Sequence, residues 1–369
     1  MKLVCSKANL LNGVQIVSKA VPNKTTMSIL ECILIDATGK EIKLIANDME
    51  LGIETIIEGE IVEKGQIALD AKIILDIVRK LPDNKVTIEV DKSFKTNITC
   101  EKAKFTIIGK SGEDFSYLPS IERIDSIIIS QFTLKEVVRQ TIFSISDNDS
   151  NKLMTGELFD INGDTLKVVS LDGHRISIRK IGLKENYPSR KVVVPGKTLG
   201  EVSKIISGDA DKDVNIFFTG KHIVFEFDNT TVVSRLIEGE YFRIDQMLSS
   251  DYETKVTINK RELLECIDRA TLLVKEGDKK PIIINITDGM MELKINSTVG
   301  SMNEEIDITK QGKNLMIGFN PKFMIDALRV IDDEQIDIYL VNPKAPCFIR
   351  DTEENYIYLI LPVNFTTVN

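Results

Sequence analysis

The stretch KIILDIVR, residues 72–79, decides the fold because the chain contains three versions of it. It returns as KTLGEVSK at residues 197–204 and as KFMIDALR at residues 322–329, so each copy begins 125 positions after the last (197 − 72 = 322 − 197 = 125). Each copy opens with a lysine and has a second base seven residues later. An acid lies between the two bases, and positions four and seven apart share one face of an α-helix. The sequence therefore predicts one module in three copies, each with a charged row formed by Lys72, Asp76 and Arg79, by Lys197, Glu201 and Lys204, and by Lys322, Asp326 and Arg329.

Each copy begins with a short strand and a helix, followed by alternating apolar stretches typical of antiparallel strands. The second helix has start signals at Asp70, at Pro195-Gly196 and at Asn320-Pro321. The predicted fold class is α+β, with two helices on one face of a sheet in every copy. Over 369 residues the period predicts three domains, at residues 1–125, 126–252 and 253–369. Such domains can extend a sheet from one to the next and leave an exposed edge at each end for a second chain.

Composition indicates a soluble globular protein, since 43% of the residues are hydrophobic and 28% are charged. No apolar run approaches the roughly 20 residues of a membrane span, and the N-terminus lacks the apolar region of a signal peptide. We therefore expect a cytoplasmic protein with no membrane partner. Net charge is −9, yet a repeated basic row on an acidic chain suggests a surface for a polyanion. The cysteines show no CxxC spacing and are predicted to be buried reduced thiols, at Cys5, Cys32, Cys100, Cys266 and Cys347.

Short motifs occur in register with the period. The first copy has KTTMSIL at residues 24–30 and NDME at 47–50, the second has DGHRI at 172–176 and VPGK at 194–197, and the third has IGFN at 317–320 and LPV at 361–363. Together, over the whole length, they resemble the bacterial DNA sliding clamps, the beta subunits of the replicative DNA polymerase III. The resemblance implies a head-to-tail homodimeric ring with sheets outside and helices around a central hole. It also implies a non-enzymatic processivity factor that encircles duplex DNA, slides along it at the nucleoid, tethers the polymerase and needs no cofactor or metal.

The resemblance places double-stranded DNA against the basic rows and three loop residues. A single base is equally well explained by a solvated helix face, and recurrence at one offset favours DNA. The acids between the bases are expected to pair with them along the helix, at roughly 0.2 to 0.5 kcal/mol each, and to prevent tight phosphate binding. The expected DNA-binding residues are Lys24, Lys72, Arg79, Asn148, Lys152, Lys197, Lys204, Lys322 and Arg329.

A second surface resembles the family's pocket for short linear motifs of client proteins, which implies the polymerase catalytic subunit, the clamp loader and repair proteins as partners. A concave site lined by apolar side chains and a few polar groups suits the binding of such a motif. Each of these residues taken singly could also be an ordinary core residue of its domain. Leu171, Phe242 and Gln246 stand where the family often has Thr, Pro and Arg, and residues 365–369 extend past the usual end. A bulkier, less basic pocket is therefore expected. Its residues are Met154, Leu171, Gly173, His174, Arg175, Ile176, Phe242, Met247, Asn320, Phe323, Leu359 and Leu361.

The resemblance also implies the dimer contact, an apolar patch flanked by charges. Ile73, Ile77 and Leu81 have an alternative role in the core of their own domain. The expected interface residues are Ile73, Ile77, Leu81, Phe105 and Ile107 of one subunit and Leu272, Leu273, Glu304 and Glu305 of the other.

Two other classes of function compete with a clamp. An enzyme could use Asp172, His174 and Arg175 as acid/base groups. Only two histidines are present, however, and the G-x-S-x-G motif of a serine nucleophile is absent. A monomeric scaffold that binds proteins but no DNA would account for the acidity and the pocket, but it leaves the repeated basic row unexplained.

Overall fold

The computed structural model describes residues 1–119, 121–124, 126–148, 150–248, 251–274 and 280–365. Each third of the chain contains two of the α-helices described there. None of the helices within these residues is long and apolar enough to cross a membrane. The first third has β1 (Lys2–Ser6), α1 (Lys7–Val17), β2 (Cys32–Asp36), β3 (Ile42–Asn47), β4 (Leu51–Ile57), β5 (Gly59–Glu63), β6 (Gln66–Asp70), α2 (Ala71–Lys80), β7 (Lys85–Val90), β8 (Lys95–Cys100), β9 (Ala103–Ile108) and β10 (Lys110–Ser111).

The middle and last thirds continue the same succession of strands and helices. The middle third has β11 (Ser126–Ser130), α3 (Gln131–Thr141), β12 (Gly156–Leu171), β13 (Arg175–Pro195), α4 (Gly196–Ile205), β14 (Asp213–Phe218), β15 (His222–Phe227) and β16 (Thr230–Arg235). The last third has β17 (Thr254–Asn259), α5 (Lys260–Thr271), β18 (Ile282–Thr287), β19 (Met290–Asn296), β20 (Ser301–Asp307), β21 (Thr309–Gly312), β22 (Leu315–Phe319), α6 (Pro321–Val330), β23 (Gln335–Leu340), β24 (Cys347–Arg350) and β25 (Tyr356–Ile360).

The second helix of each third follows the predicted period. Helices α2, α4 and α6 begin at residues 71, 196 and 321, and each has ten residues. The Asp70 carboxylate caps α2 by accepting from the Ile73 amide at 2.8 Å. Asn320 caps α6 by accepting from the Lys322 amide at 3.0 Å, and Pro321 occupies the first turn, where a missing amide hydrogen is tolerated. The start signals predicted for these two helices are confirmed.

The first of two compact units comprises Met1–Leu134 and Lys197–Leu236. Its sheets are antiparallel, with strand orders β10-β6-β2-β3-β4-β16-β15-β14-β11 and β5-β1-β7-β8-β9. Strand β4 of the first third pairs with β16 of the middle third, with Leu51 opposite Ser234. This pairing confirms the predicted extension of a sheet from one copy to the next. Helix α1 packs on α2, which buries Ile74 and Val78.

The second compact unit comprises Lys135–Gly196 and Ile237–Asn369. Its strand orders are β12-β13-β25-β24-β23-β17-β21 and β20-β19-β18-β22. Strand β13 of the middle third pairs with β25 of the last third, so a sheet again crosses a copy boundary. Helices α5 and α6 pack together, and their apolar faces enter one buried core with strands β17 to β19 and β22 to β25.

A carboxylate is buried in the second unit. Glu157 in β12 has no exposed surface, and one of its oxygens accepts from the Thr141 hydroxyl at 3.1 Å. Its other oxygen has no hydrogen-bond partner among the described residues. Burial raises the pKa of Glu157 to about 8, and the Thr141 hydrogen bond lowers it by less. The folded protein thus keeps a proton that the unfolded chain releases, so stability falls as pH rises from the ordinary carboxyl pKa towards 8.

The predicted burial of the cysteines is confirmed, since all five are buried free thiols. Burial raises the pKa values of Cys266 and Cys347 to about 12. These two thiols are therefore protonated, and weakly nucleophilic, at neutral pH.

Candidate functional site

Exposed bases mark helices α2 and α4 in the first unit. Lys72 and Arg79 are exposed on α2, and Lys197 and Lys204 are exposed at the corresponding positions of α4. The opposite side of each helix is buried. Both helices therefore present their bases to solvent, as the spacing of four and seven predicts.

The acids of these two rows pair with the second base of the same helix. Asp76 Oδ1 lies 3.8 Å from Arg79 Nη1, and Glu201 Oε1 lies 2.9 Å from Lys204 Nζ. The predicted pairing along the helix is confirmed for the second base at these two positions. The predicted pairing of Asp76 with Lys72 is not found among the described residues. The bases are more than half exposed, so each pair contributes little to stability and partly neutralises a cation facing solvent.

Among the described residues, the first lysine of the row has an ion-pair partner in the middle copy and none in the other two. Lys197 forms an ion pair with Asp48, which belongs to the NDME motif of the first third. Lys72 and Lys322 have no ion-pair partner among the residues that the structure describes. These two lysines therefore present uncompensated charge to solvent.

Helix α6, in the second unit, departs from the predicted row. Lys322 and Arg329 are exposed, but Arg329 Nη2 pairs with Asp268 of α5, 3.3 Å away. Asp326 instead accepts from Arg175 Nη1 at 2.7 Å. The prediction that Asp326 pairs with the bases of α6 is wrong. The physical reason is that the nearly buried guanidinium of Arg175 needs counter-charges, and Asp326 supplies one.

The three loop residues predicted to contact DNA are also exposed. Lys24 lies between α1 and β2, and Asn148 and Lys152 lie between α3 and β12. The side chain of Asn148 accepts from the Ser150 amide at 3.0 Å, so it orders its own loop. Lys152 begins a single turn of 3₁₀ helix.

The DGHR motif forms a tight turn between β12 and β13. The Asp172 carboxylate accepts from the amides of His174 and Arg175 at 3.0 and 3.2 Å. Gly173 has φ of 86°, a conformation that glycine adopts without steric cost. The Leu361 amide donates to the His174 carbonyl at 2.9 Å. The turn is thereby tied to the end of β25.

Arg175 is the centre of a buried network beneath this turn. Its Nε donates to Asp172 at 2.9 Å, Nη1 donates to Asp326, and Nη2 donates to the Phe143 carbonyl. The guanidinium carbon lies 4.4 Å from the centre of the Phe323 ring and 5.4 Å from that of Phe143. Two carboxylates, a carbonyl and two aromatic faces therefore fix the position of Arg175.

Apolar side chains predicted for the client pocket meet beside the turn. Leu171, Ile176 and Leu359 belong to one buried cluster on strands β12, β13 and β25. Met154 and Phe242 are partly buried and pack against this cluster. The structure thus brings together five of the predicted residues from four separate stretches of sequence.

The other predicted pocket residues lie nearer the surface. His174 is exposed and stacks on Phe323, with ring centres 6.0 Å apart. Met247 is 57% exposed and Leu361 is also exposed, so both offer apolar surface to a ligand. Asn320 serves α6 as its cap.

Sequence reasoning missed several neighbours of these residues. The apolar cluster also contains Tyr241 and Ile244, with Leu248 packed against it, and the Arg175 network contains Phe143 and Asp326. The apolar segment of residues 241–248 was a usable signal for the first three. The local pattern marks Asp326 as an acid of the charged row but not as a partner of Arg175, because the two residues are 151 positions apart.

The C-terminal tail passes beside the start of α6. The Val363 amide donates to the Gly318 carbonyl at 2.8 Å. A Cβ added at Gly318 would lie 2.7 Å from the Phe365 ring, so glycine admits this aromatic side chain. Of the predicted extension, residues 366–369 lie outside the described residues.

The dimer residues predicted in the first unit form two groups. Ile73 and Phe105 are exposed and Ile107 is partly exposed, whereas Ile77 and Leu81 are buried. Strand β9 ends its five-stranded sheet, so one of its edges lacks a partner strand among the described residues. Ile77 and Leu81 can thus support the exposed patch only from beneath.

The dimer residues predicted in the second unit lie near another sheet edge. Leu272 is 81% exposed at the end of α5, and Leu273 beside it is partly exposed. Glu305 is exposed on β20, which ends its four-stranded sheet. Glu304 accepts from Arg269 Nε at 3.0 Å, which lowers the pKa of Glu304. The patch combines exposed leucines with carboxylates.

Comparison with known families accounts for the three copies. Models of the DNA polymerase III beta subunit match in order: the N-terminal domain over residues 1–119, the central domain over 128–242 and the C-terminal domain over 245–364. The chain belongs to the DNA polymerase III beta subunit family, the beta sliding clamps. The predicted α+β fold with three clamp domains is confirmed.

Individual clamps are similar over their full length. The beta sliding clamp of Staphylococcus epidermidis is 32% identical over 374 residues, which cover 98% of this chain and 99% of that protein. A solved structure of a putative DNA polymerase III beta subunit from Eubacterium rectale has 76% identity and a TM-score of 0.96, covering 99% and 100% of the two chains. The DNA polymerase sliding clamp from Bacillus subtilis has 33% identity and a TM-score of 0.95, with the same coverage.

Membership of the family establishes the general function. The beta sliding clamp is the processivity factor of DNA polymerase III, and sliding clamps are non-catalytic. The clamp family implies encirclement of DNA and binding of the polymerase. The enzyme alternative is therefore wrong. His174 and Arg175, which suggested it, belong to the stacked and ion-paired turn described above.

Proposed function

We propose that two copies of this clamp close head to tail around duplex DNA in the bacterial cytoplasm, with the predicted DNA-binding residues turned towards the phosphates. The observation that carries this proposal is the recurrence of exposed bases at the same two positions of three equally long helices. In this proposal the three domains meet near residues 125 and 252.

The charge pattern suits a ring that slides. Attraction to DNA grows with the number of phosphates that the protein neutralises. Arg79, Lys197, Lys204 and Arg329 each already have an acidic partner, and the net charge of the chain is −9. Contacts to phosphate are then weak, and the closed ring, more than electrostatic attraction, retains the DNA.

We propose the cluster beside the DGHR turn as the client pocket. Exposed Met247 and Leu361 are close in the chain to Leu248 and Leu359 of the buried apolar cluster, and exposed apolar groups beside such a cluster suit the side chains of a short linear motif. His174 and the cap residue Asn320 supply polar groups at the rim. The expected partners are the polymerase catalytic subunit, the clamp loader and repair proteins.

Two sheet edges that lack a partner strand within the described part of the chain support the proposed head-to-tail dimer. Strand β9 carries exposed Phe105 and Lys104, and strand β20 carries exposed Glu305. Unpaired strand edges favour pairing with another chain, and the opposite charges favour β9 with β20 over either strand with its own copy. A heterologous contact of this kind, used twice, closes a ring.

Retention on DNA of different topology tests the proposed ring. The full-length chain, loaded by a clamp loader onto a nicked circular plasmid, is expected to co-elute with that plasmid in gel filtration. Cutting the plasmid once is expected to release the clamp from the DNA. Equal retention on circular and linear DNA would contradict topological linkage and support ordinary surface binding.

The matched control for this experiment is the double variant Leu272→Ala with Leu273→Ala. It keeps every proposed DNA-binding residue but loses apolar surface at the proposed interface. We expect no retention on the circle, together with a monomeric mass. Retention of a monomer would favour surface binding without a ring.

A further inference from the structure

The client pocket has a structural counterpart in the first unit. The turn Asp48–Leu51 repeats the turn Asp172–Arg175 at a distance of 124 residues (172 − 48 = 175 − 51 = 124). In each turn the opening aspartate accepts from the amides two and three positions later, at 3.0 and 2.7 Å in the first turn and at 3.0 and 3.2 Å in the second. The two turns therefore share one hydrogen-bonding pattern.

The strand beside each turn is attached in the same way. The Arg235 amide donates to the Glu50 carbonyl at 2.9 Å, as the Leu361 amide donates to the His174 carbonyl at 2.9 Å. Strand β16 thus has the place beside the first turn that β25 has beside the DGHR turn. The repeat extends from the turn to the strand that closes the pocket.

A cleft opens at this repeated turn. Its volume is about 100 Å³. Because an engineered cavity of about 150 Å³ admits benzene, a cleft of this size has room for one aliphatic side chain. The residues that line the cleft include Met49, Tyr117, Leu118, His222, Val233 and Arg235.

Met49 suggests that the cleft is used. It has φ of 76°, the left-handed region in which its counterpart Gly173 is unstrained, so a methionine there stores backbone strain. Its side chain is 58% exposed, and Tyr117 on the same cleft is 51% exposed. Two large apolar side chains thus remain in solvent around an apolar floor, one of them at a conformational cost.

The floor of the cleft limits what can enter. A Cβ added to Gly52 would lie 2.0 Å from Leu118 Cδ2, so the bare glycine lets Leu118 pack on the backbone. Leu118 in turn packs against Val224 and Val233. The inner end is therefore closed, and a ligand reaches only the outer, apolar part.

The rim supplies a cation. Arg235 Nη1 lies 3.6 Å from Glu50 Oε1, and both side chains are more than half exposed. Burial and the neighbouring Arg235 lower the pKa of His222, which disfavours its charged form. Arg235 is thus the cleft's cation, and Glu50 competes with any incoming carboxylate for it.

We propose that this cleft is a second peptide-binding site, which takes one aliphatic side chain beside Met49 and a neighbouring carboxylate at Arg235. The occupant is a short segment of a client protein that carries an apolar residue next to an acidic one, so the inference rests on the proposed client function. Unlike the DGHR pocket, this site selects for negative charge, because Arg235 stands where the DGHR pocket has Leu361.

Methionine methyl signals of the full-length protein test both sites in one experiment. The chain has ten methionines, of which Met49 lies in the cleft and Met247 in the proposed client pocket. With ¹³C-methyl methionine labelling, the peptide N-acetyl-Glu-Leu-Phe-amide is titrated, and Met49→Leu and Met247→Leu assign the two signals. We expect saturable shifts of both signals.

Charge variants identify the proposed carboxylate contact. Arg235→Gln is expected to weaken binding at Met49 about tenfold, the loss of one charge-assisted hydrogen bond, while the affinity reported by Met247 stays unchanged. Glu50→Gln is expected to tighten binding at Met49 about twofold by removing the competing acid. Both positions are exposed, so the fold is kept.

The two reporters separate the possible failures. A moving Met247 signal with a stationary Met49 signal would overturn the second site and leave the proposed client function intact. A moving Met49 signal with a stationary Met247 signal would support the second site and contradict the client pocket. An equal response of the parent and Arg235→Gln at Met49 would overturn the carboxylate contact.

Discussion

Replacing Asp326 by asparagine tests whether the client pocket depends on a charge supplied by helix α6. The Asp326 and Arg175 side chains are 20% and 8% exposed, so water compensates poorly for the lost charge. Arg175 keeps Asp172 and the Phe143 carbonyl as partners. The substitution therefore weakens one of three polar contacts and leaves the shape of the site intact.

The expected magnitude follows from this geometry. A hydrogen bond to a charged group contributes about 1.5 to 3 kcal/mol, and asparagine keeps an acceptor oxygen without the charge. We expect Asp326→Asn to lower the free energy of unfolding by about 1.5 kcal/mol. Arg175 also supports the Phe323 ring on which His174 stacks. We therefore expect a client peptide to bind about tenfold more weakly, which corresponds to about 1.4 kcal/mol.

Asp76→Asn is the matched control, because Asp76 has the same position in the first copy. Its side chain is 62% exposed and its pair with Arg79 is 3.8 Å long, so its loss is expected to cost about 0.5 kcal/mol or less. The assay is fluorescence anisotropy with a labelled peptide containing Leu and Phe, together with urea unfolding. Asp326→Glu is expected to restore part of the affinity. Equal peptide affinities of Asp326→Asn and Asp76→Asn would refute the reasoning.

Three further variants test other parts of the molecule. Lys72→Ala with Lys322→Ala is expected to reduce the slope of log K against log salt by about 0.9 per lost phosphate contact, measured with linear duplex DNA; an unchanged slope would place both lysines away from DNA. Leu272→Ala with Leu273→Ala is expected to give monomers in sedimentation, and intact dimers would count against this interface. Glu157→Gln is expected to stabilise the protein relative to the parent, and more so at pH 8 than at pH 5. Between these pH values the difference in unfolding free energy is expected to grow by on the order of 1 kcal/mol per pH unit. A pH-independent difference in unfolding free energy would show that Glu157 is ionised when folded.

The sequence predicted the elements that depend on neighbouring residues. The period of 125 fixed the start of α2, α4 and α6, and the caps at Asp70 and Asn320 are where the sequence placed them. Exposure of the bases followed from helical spacing. These features were predictable because helix capping and amphipathic periodicity act within a few residues of the chain.

The sequence predicted that a sheet can extend from one copy to the next, but it did not indicate which strands pair or that the chain divides into two compact units. The period indicates three equal copies, but the middle copy contributes β12 and β13 to one unit and α4 with β14 to β16 to the other. The cause is the pairing of β4 with β16 and of β13 with β25, between copies. Strand pairing across more than a hundred residues is decided when the chain folds and not by local pattern.

By itself, the sequence determined three copies of an α+β module, their helices, and the outward row of bases, because local spacing fixes each of these. Only the tertiary structure decided which charges meet. Equivalent acids at Asp76 and Asp326 have different partners, and Lys197 pairs with Asp48, which lies 149 residues away in the chain. An ion pair depends on distance in space and on burial, and identical positions of a repeat differ in both once their neighbours differ.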